Sequence, residues 1–248
     1  MTGAIAQIWR YPIKALGREP VTRTTLAANQ TLPGDRQWAV AHTRALLSDS
    51  GWSACRNFLR AAKIPALMAI EAISDEDGAI TLSHPDRPNI RFHPETEASV
   101  LFDWLAPLLS GGEFSPATIV RATSQGMTDS DFASISLINL ASNAALAQEM
   151  AIPLSPHRWR GNIWIDGAEP WQEFDWVGHR LRIGSAELEV RERITRCRAT
   201  ESNPDTGIRD ANTLSALQSG HDHQNFGVYC VVVQPSDICV GDNIEVIK

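Results

Sequence analysis

The residues with the most chemistry in reach lie between Glu189 and Arg209, in the run E-V-R-E-R-I-T-R-C-R-A-T-E-S-N-P-D-T-G-I-R. Cys197 stands there between Arg196 and Arg198, with Arg191 and Arg193 just upstream and Glu192 as the one acid within that span. A thiol among guanidinium groups is expected to ionise more readily than a free one, and the thiolate is the form that attacks electrophiles or ligates metals. The competing reading is a strand whose outward face carries solvated arginines and whose cysteine merely packs. Leu188 and Val190 alternate with Glu189 and Arg191, which predicts a strand leading to the cysteine. N-P-D-T-G (203–207) is a turn by its own chemistry.

Other constellations carry less. His221 and His223 could ligate a metal from a strand, but G-H-D-H-Q-N reads as a surface loop. Cys230 and Cys239 flank a Q-P-S-D turn and could face each other across a hairpin, although core thiols are the default. A Cys–His hydrolase with Cys197 as nucleophile and His179 as base has no sequence feature pairing the two. The four cysteines (55, 197, 230 and 239) form no C-x-x-C, so neither a zinc knuckle nor an iron–sulfur cluster built within the chain is expected. Neither common glycine-rich phosphate loop is present.

Elements must hold such residues in place. Residues 4–25 read as a strand, a bend at Y-P-I-K and a second extended segment, because Pro12 removes a donor and pushes Tyr11 out of helical geometry. Lys14 therefore follows a bend. P-G-D-R (33–36) is a turn feeding a strand over 38–41, which puts Arg36 at a strand start. Trp52, Cys55, Phe58, Leu59 and Ala62 recur at helical spacing within 52–63. A hairpin is expected between 66–73 and 79–82 across D-E-D-G. One helix is predicted over 96–109, with Val100, Leu101, Trp104, Leu105 and Leu108 as its apolar stripe. A second is predicted from Ser142 or Asn143, either a good N-cap, to Met150. Strands are expected at 162–165, 181–183, 187–194, 226–233 and 244–247, with a short helix over 210–219 closed by Gly220. Residues 111–131 read as a loop. Many short strands and few helices indicate a β-rich α+β fold with barrel character.

With 248 residues the chain can bury a sizeable core in one or two domains. Apolar residues are 43% and charged residues 21%, an ordinary globular mixture, and the net charge of -7 argues against a nucleic-acid partner. Nineteen arginines accompany only three lysines, so any anionic ligand must be held by local arginine clusters. No charged segment followed by a long apolar run opens the chain, and no window approaches the roughly eighteen apolar residues of a membrane span. A cytoplasmic protein with reduced thiols and no membrane partner is expected.

In their order, several segments resemble a known family. R-W-R-G-N-I-W-I-D-G (158–167), T-R-C-R-A-T-x-x-N-P-D-T-G (195–207), F-G-V-Y (226–229) and V-G-D (240–242) are similar to the MOSC domain, the molybdenum-cofactor sulfurase C-terminal type. I-W-R-Y-P-I-K (8–14) and G-D-R-x-W-A-V (34–40) resemble the β-barrel domain that precedes MOSC in the mitochondrial amidoxime reducing component and its bacterial relatives. Nearly the whole chain is covered, 111–130 being the least recognisable part. The resemblance implies a MOSC-type N-terminal β-barrel-like domain over 1–110 and a MOSC β-barrel domain with a few helices over 111–248.

It also implies a molybdenum cofactor, a pterin dithiolene bearing a phosphate, with Cys197 as the metal's protein thiolate and the catalytic residue. Soft thiolate ligands suit such a metal. The anionic pterin and phosphate would be held by Lys14 and Arg36 from the N-terminal part, by Arg158, Arg160 and Asn162 from an R-x-R-x-N strand, by Arg196, and by Ser142 at a helix start. Each has a plain structural alternative, such as a solvated cation, a strand-edge residue or a helix cap. The implied activity is reduction of small N-oxygenated (N-hydroxylated) substrates, with electrons from a separate ferredoxin- or cytochrome b5-like protein and its reductase. The alternative is a cofactor or sulfur carrier in which Cys197 cycles through a persulfide. Pyridoxal phosphate binding is a further description attached to such domains. The chain departs from related reductases in having Gly161 where proline is common and Ala15 where serine often follows the lysine. Some bacterial relatives carry an appended ferredoxin domain; none is expected here, which leaves the electrons to a separate protein.

Overall fold

The structure, a computed structural model, describes residues 3–48, 51–109 and 115–247. The expected domain boundary at 110 and 111 lies outside them. β1 (Gly3–Arg10) is followed by the short β2 (Glu19–Val21) and β3 (Arg23–Thr25), then by β4 (Trp38–His42). β5 (Glu71–Ser74), β6 (Ile80–His84) and β7 (Arg87–Phe92) form an antiparallel sheet, and α1 (Ala98–Leu105) follows them. β8 (Pro116–Arg121) returns to pair with β4. The rest of the chain gives β9 (Ile135–Asn139), α2 (Leu140–Met150), β10 (Ile163–Asp166), β11 (Arg180–Ile183), β12 (Ala186–Thr195), α3 (Thr213–His221), β13 (Asn225–Gln234), β14 (Asp237–Cys239) and β15 (Asn243–Ile247). The β-rich α+β expectation holds.

Seven strands close into a barrel in the order β10-β9-β13-β12-β11-β15-β1, because β1 also pairs antiparallel with β10. The first strand of the chain thus closes a barrel built otherwise from its second half. Alternation sorts each strand's side chains into two cores. Leu137, Ile163, Ile165, Val190 and Val228 fill the barrel, while Ile138, Trp164 and Phe226 meet Leu146 of α2 and Leu217 of α3 on the outside. A third core gathers Ile13, Leu16, Val40, Leu82, Phe92, Leu101 and Trp104 around the three-stranded sheet and α1.

Several local expectations change. No α-helix forms over 52–63. Only a 3-10 turn, Cys55–Asn57, is present, because Phe58 bridges to Ala41 and the Leu59 N–H donates to the Val40 carbonyl at 2.9 Å, which draws the chain out as an extended neighbour of β4. The hairpin turn at 75–78 is as expected, but its first strand begins at Glu71 since Pro65 starts a 3-10 turn at Pro65–Ala69. α2 begins earlier than predicted, with Asn139 as the cap accepting from the Ala141 N–H at 3.0 Å. α3 runs through Gly220 and ends at the left-handed Asp222. β14 pairs with β3 rather than with β13, so no hairpin joins Cys230 and Cys239, and Cys230 is buried in the barrel.

Candidate functional site

The Y-P-I-K segment is a tight turn. Ile13 and Leu16 bridge each other and are buried, while Ala15 takes a left-handed φ of 64°. This geometry turns Lys14 away from the core its neighbours fill. Its ammonium, on a residue only 5% exposed, donates to the carbonyls of Met127 (2.7 Å) and Thr128 (3.2 Å) and pairs with Asp129 at 2.5 Å. That amine is committed to three protein acceptors, so it is not poised to form a Schiff base with pyridoxal phosphate. Desolvation by the surrounding protein works to raise the Asp129 carboxyl, whose side chain still faces solvent, but the charges of Lys14, Arg36 and Arg160 hold it below its ordinary value.

Arg36 lies at a left-handed position of the G-D-R turn, pairs with buried Asp35, and donates to the Arg160 carbonyl at 3.1 Å. Asp35 also accepts the Tyr11 N–H at 2.8 Å. Arg158 and Arg160 do not share the face of a strand as expected. Pro156–Trp159 is a 3-10 turn begun by Pro156, and Arg160 follows with φ 50° before β10 starts. The two side chains therefore diverge. Arg158 reaches Asp210 at 2.5 Å, and Arg160 lies over the Tyr11 ring. Asn162 is held within the barrel wall, its amide accepting from the Ser136 hydroxyl (2.8 Å) and donating to the Trp9 carbonyl (3.2 Å). Arg196 donates to the carbonyls of Phe226 and Trp159, both at 2.8 Å.

Cys197 ends β12's run and precedes a 3-10 turn at Arg198–Glu201. Its acidity differs from the expectation. Cys197 is exposed on the cavity wall, yet desolvation by the surrounding protein raises the thiol's pKa, Asp129 adds to the rise, and the Ala199 N–H and the Arg196 charge oppose it without reversing it. The other sequence neighbours point elsewhere. Arg191 pairs with Glu189, Arg193 lies 4.4 Å from the centre of the Phe174 ring, and Arg198 pairs with Glu201. Of the four arginines near Cys197 in sequence, Arg196 is the one whose charge lowers it.

These side chains meet around a cavity of about 310 Å³ lined by Lys14, Arg36, Arg158, Arg160, Asn162, Arg196 and Cys197, together with Cys55, Arg60, Asp129, Ser136 and Tyr229. Ser142 is not among the lining residues. Because α2 starts at Leu140, Ser142 falls on its inner face, fully buried, donating to Glu173 (2.8 Å) and accepting from the Trp171 N–H (2.8 Å). Burial raises the Glu173 carboxyl above its ordinary range against the hydrogen bonds of Asn139 and Ser142. His179 and the His221–His223 pair also lie off the cavity wall. Sequence reading missed Cys55, Arg60, Asp129 and Tyr229 as lining residues; Tyr229 closes the F-G-V-Y segment, which could have marked it, while nothing local marks the other three. Asp129 meets Lys14 across a separation of 115 residues.

The lining carries six cationic side chains (Lys14, Arg36, Arg60, Arg158, Arg160 and Arg196) and one acid, Asp129, in a chain whose net charge is -7. The Nε and Nη1 atoms of Arg158 and the Nη2 atom of Arg196 are buried without a hydrogen-bond partner. Such donors are costly to leave unpaired and call for an anion or polar ligand beside them. Among the described residues no three His, Cys, Asp or Glu side chains converge to hold a metal by themselves. A metal at Cys197 would therefore arrive with donors of its own, as a pterin dithiolene supplies. The residues present fit that group. Gly161 is explained locally, since a Cβ there would stand 2.2 Å from Cγ1 of Ile138, which leaves no room for the proline common in related chains.

Comparisons with known proteins agree in kind. Residues 125–245 match the MOSC domain, and residues 2–105 match the MOSC N-terminal beta barrel domain. The chain is 24% identical to mitochondrial amidoxime-reducing component 1 of Homo sapiens, over 98% of this chain and 82% of that protein. Over 45% of its length it is 33% identical to the molybdenum cofactor sulfurase of Drosophila grimshawi, of which it spans only 15%. The solved YUAD protein from Bacillus subtilis superimposes with a TM-score of 0.46 and 14% identity, over 99% of this chain and 96% of that one. Among the described residues no helix is long and apolar enough to cross a membrane.

Proposed function

Because the chain belongs to the MOSC-domain proteins, with the MOSC N-terminal β-barrel domain ahead of the MOSC domain, we propose that it holds molybdenum cofactor at Cys197 and reduces small N-oxygenated substrates. The observation that carries this reading is the convergence of the Cys197 thiol with Lys14, Arg36, Arg158, Arg160 and Arg196 on one cavity. Bound there, the cofactor would supply two-electron redox chemistry at molybdenum. The net reaction cleaves an N–O bond, takes up two electrons and two protons, and gives the reduced nitrogen compound and water.

The chain's own part is to bind and orient. Cys197 would ligate the metal as thiolate, a form that the Ala199 N–H and the Arg196 charge favour. Arg158 and Arg196 offer the unpaired donors for the anionic pterin and phosphate, and Arg36 and Arg160 stand beside them along the same wall. Lys14 and Asn162 support the site by tying it together, Lys14 to the 127–129 segment and Asn162 to β9 and β1. Electrons would come from a separate ferredoxin- or cytochrome b5-like donor with its reductase. The two parts would divide at residue 110, the N-terminal β-barrel-like part over 1–110 and the MOSC part over 111–248.

Expression in a host that makes molybdenum cofactor, followed by metal analysis and benzamidoxime reduction with a reconstituted electron donor, tests the reading. Stoichiometric molybdenum is expected, with reduction abolished by Cys197→Ser. A purified chain without molybdenum but with cyanide-labile sulfur on Cys197 would instead establish the carrier alternative. Reduction by the Cys197→Ser variant with molybdenum retained would remove Cys197 from the metal.

A further inference from the structure

The cavity cations differ in what they already hold. Lys14, Arg36 and Arg158 each pair with a carboxylate, and Arg160 and Arg196 donate to backbone carbonyls. Arg60 is the lining cation whose guanidinium has no hydrogen-bond or ion-pair partner among the described residues. Its nitrogens are also not among the buried unpaired atoms, unlike those of Arg158 and Arg196, so they remain open to solvent. The backbone at Arg60 is nonetheless fixed. Its carbonyl accepts from the N–H groups of Lys63 and Ile64, both at 3.0 Å, and Leu59 and Ala61 on either side are buried. The wall from Cys55 to Ala62 thus presents small or apolar side chains, Leu59, Ala61 and Ala62, and one unpaired, solvent-open positive charge.

Resting on the reductase reading above, we propose that Arg60 is a specificity-determining residue that selects substrates carrying a carboxylate on a compact apolar body, the N–O group being presented toward Cys197. A guanidinium with no protein partner gives a carboxylate two parallel N–H donors without first breaking an existing pair. The cations already paired with Asp129, Asp35 and Asp210 would have to give up a partner to do the same. The buried donors of Arg158 and Arg196 suit an anion enclosed by the protein, and the open donor of Arg60 suits one that enters and leaves.

The test compares benzamidoxime with its 4-carboxylate in the molybdenum-loaded protein and in Arg60→Gln and Arg60→Lys. The wild type is expected to favour the carboxylate by about 10- to 100-fold in kcat/KM, the span of a charge-assisted hydrogen bond. Arg60→Gln should collapse that ratio, Arg60→Lys should restore part of it, and molybdenum content should be retained in both. In parallel, 4-carboxybenzamide, which has no N–O bond to reduce, is titrated calorimetrically into wild type and Arg60→Gln, with affinity expected to fall about 10-fold. An unchanged ratio and unchanged affinity in Arg60→Gln overturn the proposal. Loss of molybdenum in that variant also overturns it, because Arg60 would then hold the cofactor. If the loaded wild type reduces neither amidoxime, the reductase reading fails, and the calorimetric comparison still decides whether Arg60 binds carboxylates.

Discussion

The guanidinium carbon of Arg160 stands 4.2 Å from the centre of the Tyr11 ring. Arg36 lies 4.8 Å from the same centre, so one buried ring serves two cations of the candidate site. The negative faces of an aromatic ring can attract such groups. Burial and then the Arg36 charge lower the pKa of Arg160 to about 10, and burial raises that of Tyr11 to about 12. Both arginines therefore remain charged at neutral pH, and the ring tempers their mutual repulsion.

Replacement of Tyr11 separates ring from hydroxyl. The hydroxyl donates to the Gly161 carbonyl at 3.1 Å, but Trp164 Nε1 donates to the same oxygen at 3.2 Å, so Tyr11→Phe leaves that carbonyl satisfied. It should lower stability by about 1 kcal/mol in urea unfolding. Tyr11→Ala should lower it by about 3–5 kcal/mol and reduce molybdenum content. Equal effects of the two substitutions would mean that the ring does not position the arginines.

Ser142→Ala removes the acceptor of the Trp171 N–H and a donor to buried Glu173. A loss of about 1–3 kcal/mol in unfolding free energy is expected, with molybdenum content retained. The opposite pattern, unaltered stability and lost metal, would return Ser142 to the cofactor.

Ile138 occupies the space that side chains at two glycines would need. A Cβ on Gly161 would meet its Cγ1 at 2.2 Å, and a Cβ on Gly227, which has φ 73°, would meet its Cδ1 at 2.4 Å. Gly161→Ala should destabilise by about 1–3 kcal/mol through overpacking. Ile138→Ala removes both Cγ1 and Cδ1, so the double variant should be more stable than the sum of the single losses predicts. A double-mutant cycle by urea unfolding measures this coupling, and strict additivity would show that the backbone relaxes instead.

His157 packs edge-on against Trp9, ring centres 4.3 Å apart. Burial, and then the Arg18 charge, lowers its pKa from an ordinary 6.5 to about 4. The unfolded chain therefore binds this proton at a pH where the folded chain does not, and stability falls as pH drops from about 6.5 toward 4. His157→Gln should remove that contribution, so the stability difference between variant and wild type should change across this window and level off above it. A difference independent of pH between 4 and 7 would contradict the assignment.

Local chemistry determined much of this protein by itself. Turn residues and alternation located β4, β10, β11, β12, β13 and β15 to within one or two residues, while β7, β9 and β14 had no local signal strong enough to predict them and β8 formed within 111–131, which reads as a loop. Pro12 with Gly34, Asp35 and Arg36 marked the two turns that carry Lys14 and Arg36. The ordered motifs named the family and six cations and polar groups that do line the cavity, besides the cysteine. Tertiary structure alone decided which way side chains point and what they meet. Register shifts in β12 near Val190 and Arg193, and the left-handed backbone at Arg160, redirect side chains that simple alternation would align. Asn139 began α2 early and so turned Ser142 inward. Arg191, Arg193 and Arg198 found Glu189, Phe174 and Glu201, which left Arg196 beside Cys197 and let desolvation by surrounding protein raise a thiol that sequence neighbours alone would lower. Asp129 and Arg60 reach the cavity through contacts far apart in the chain. Burial and long-range pairing depend on the whole barrel being closed, and no local pattern encodes them.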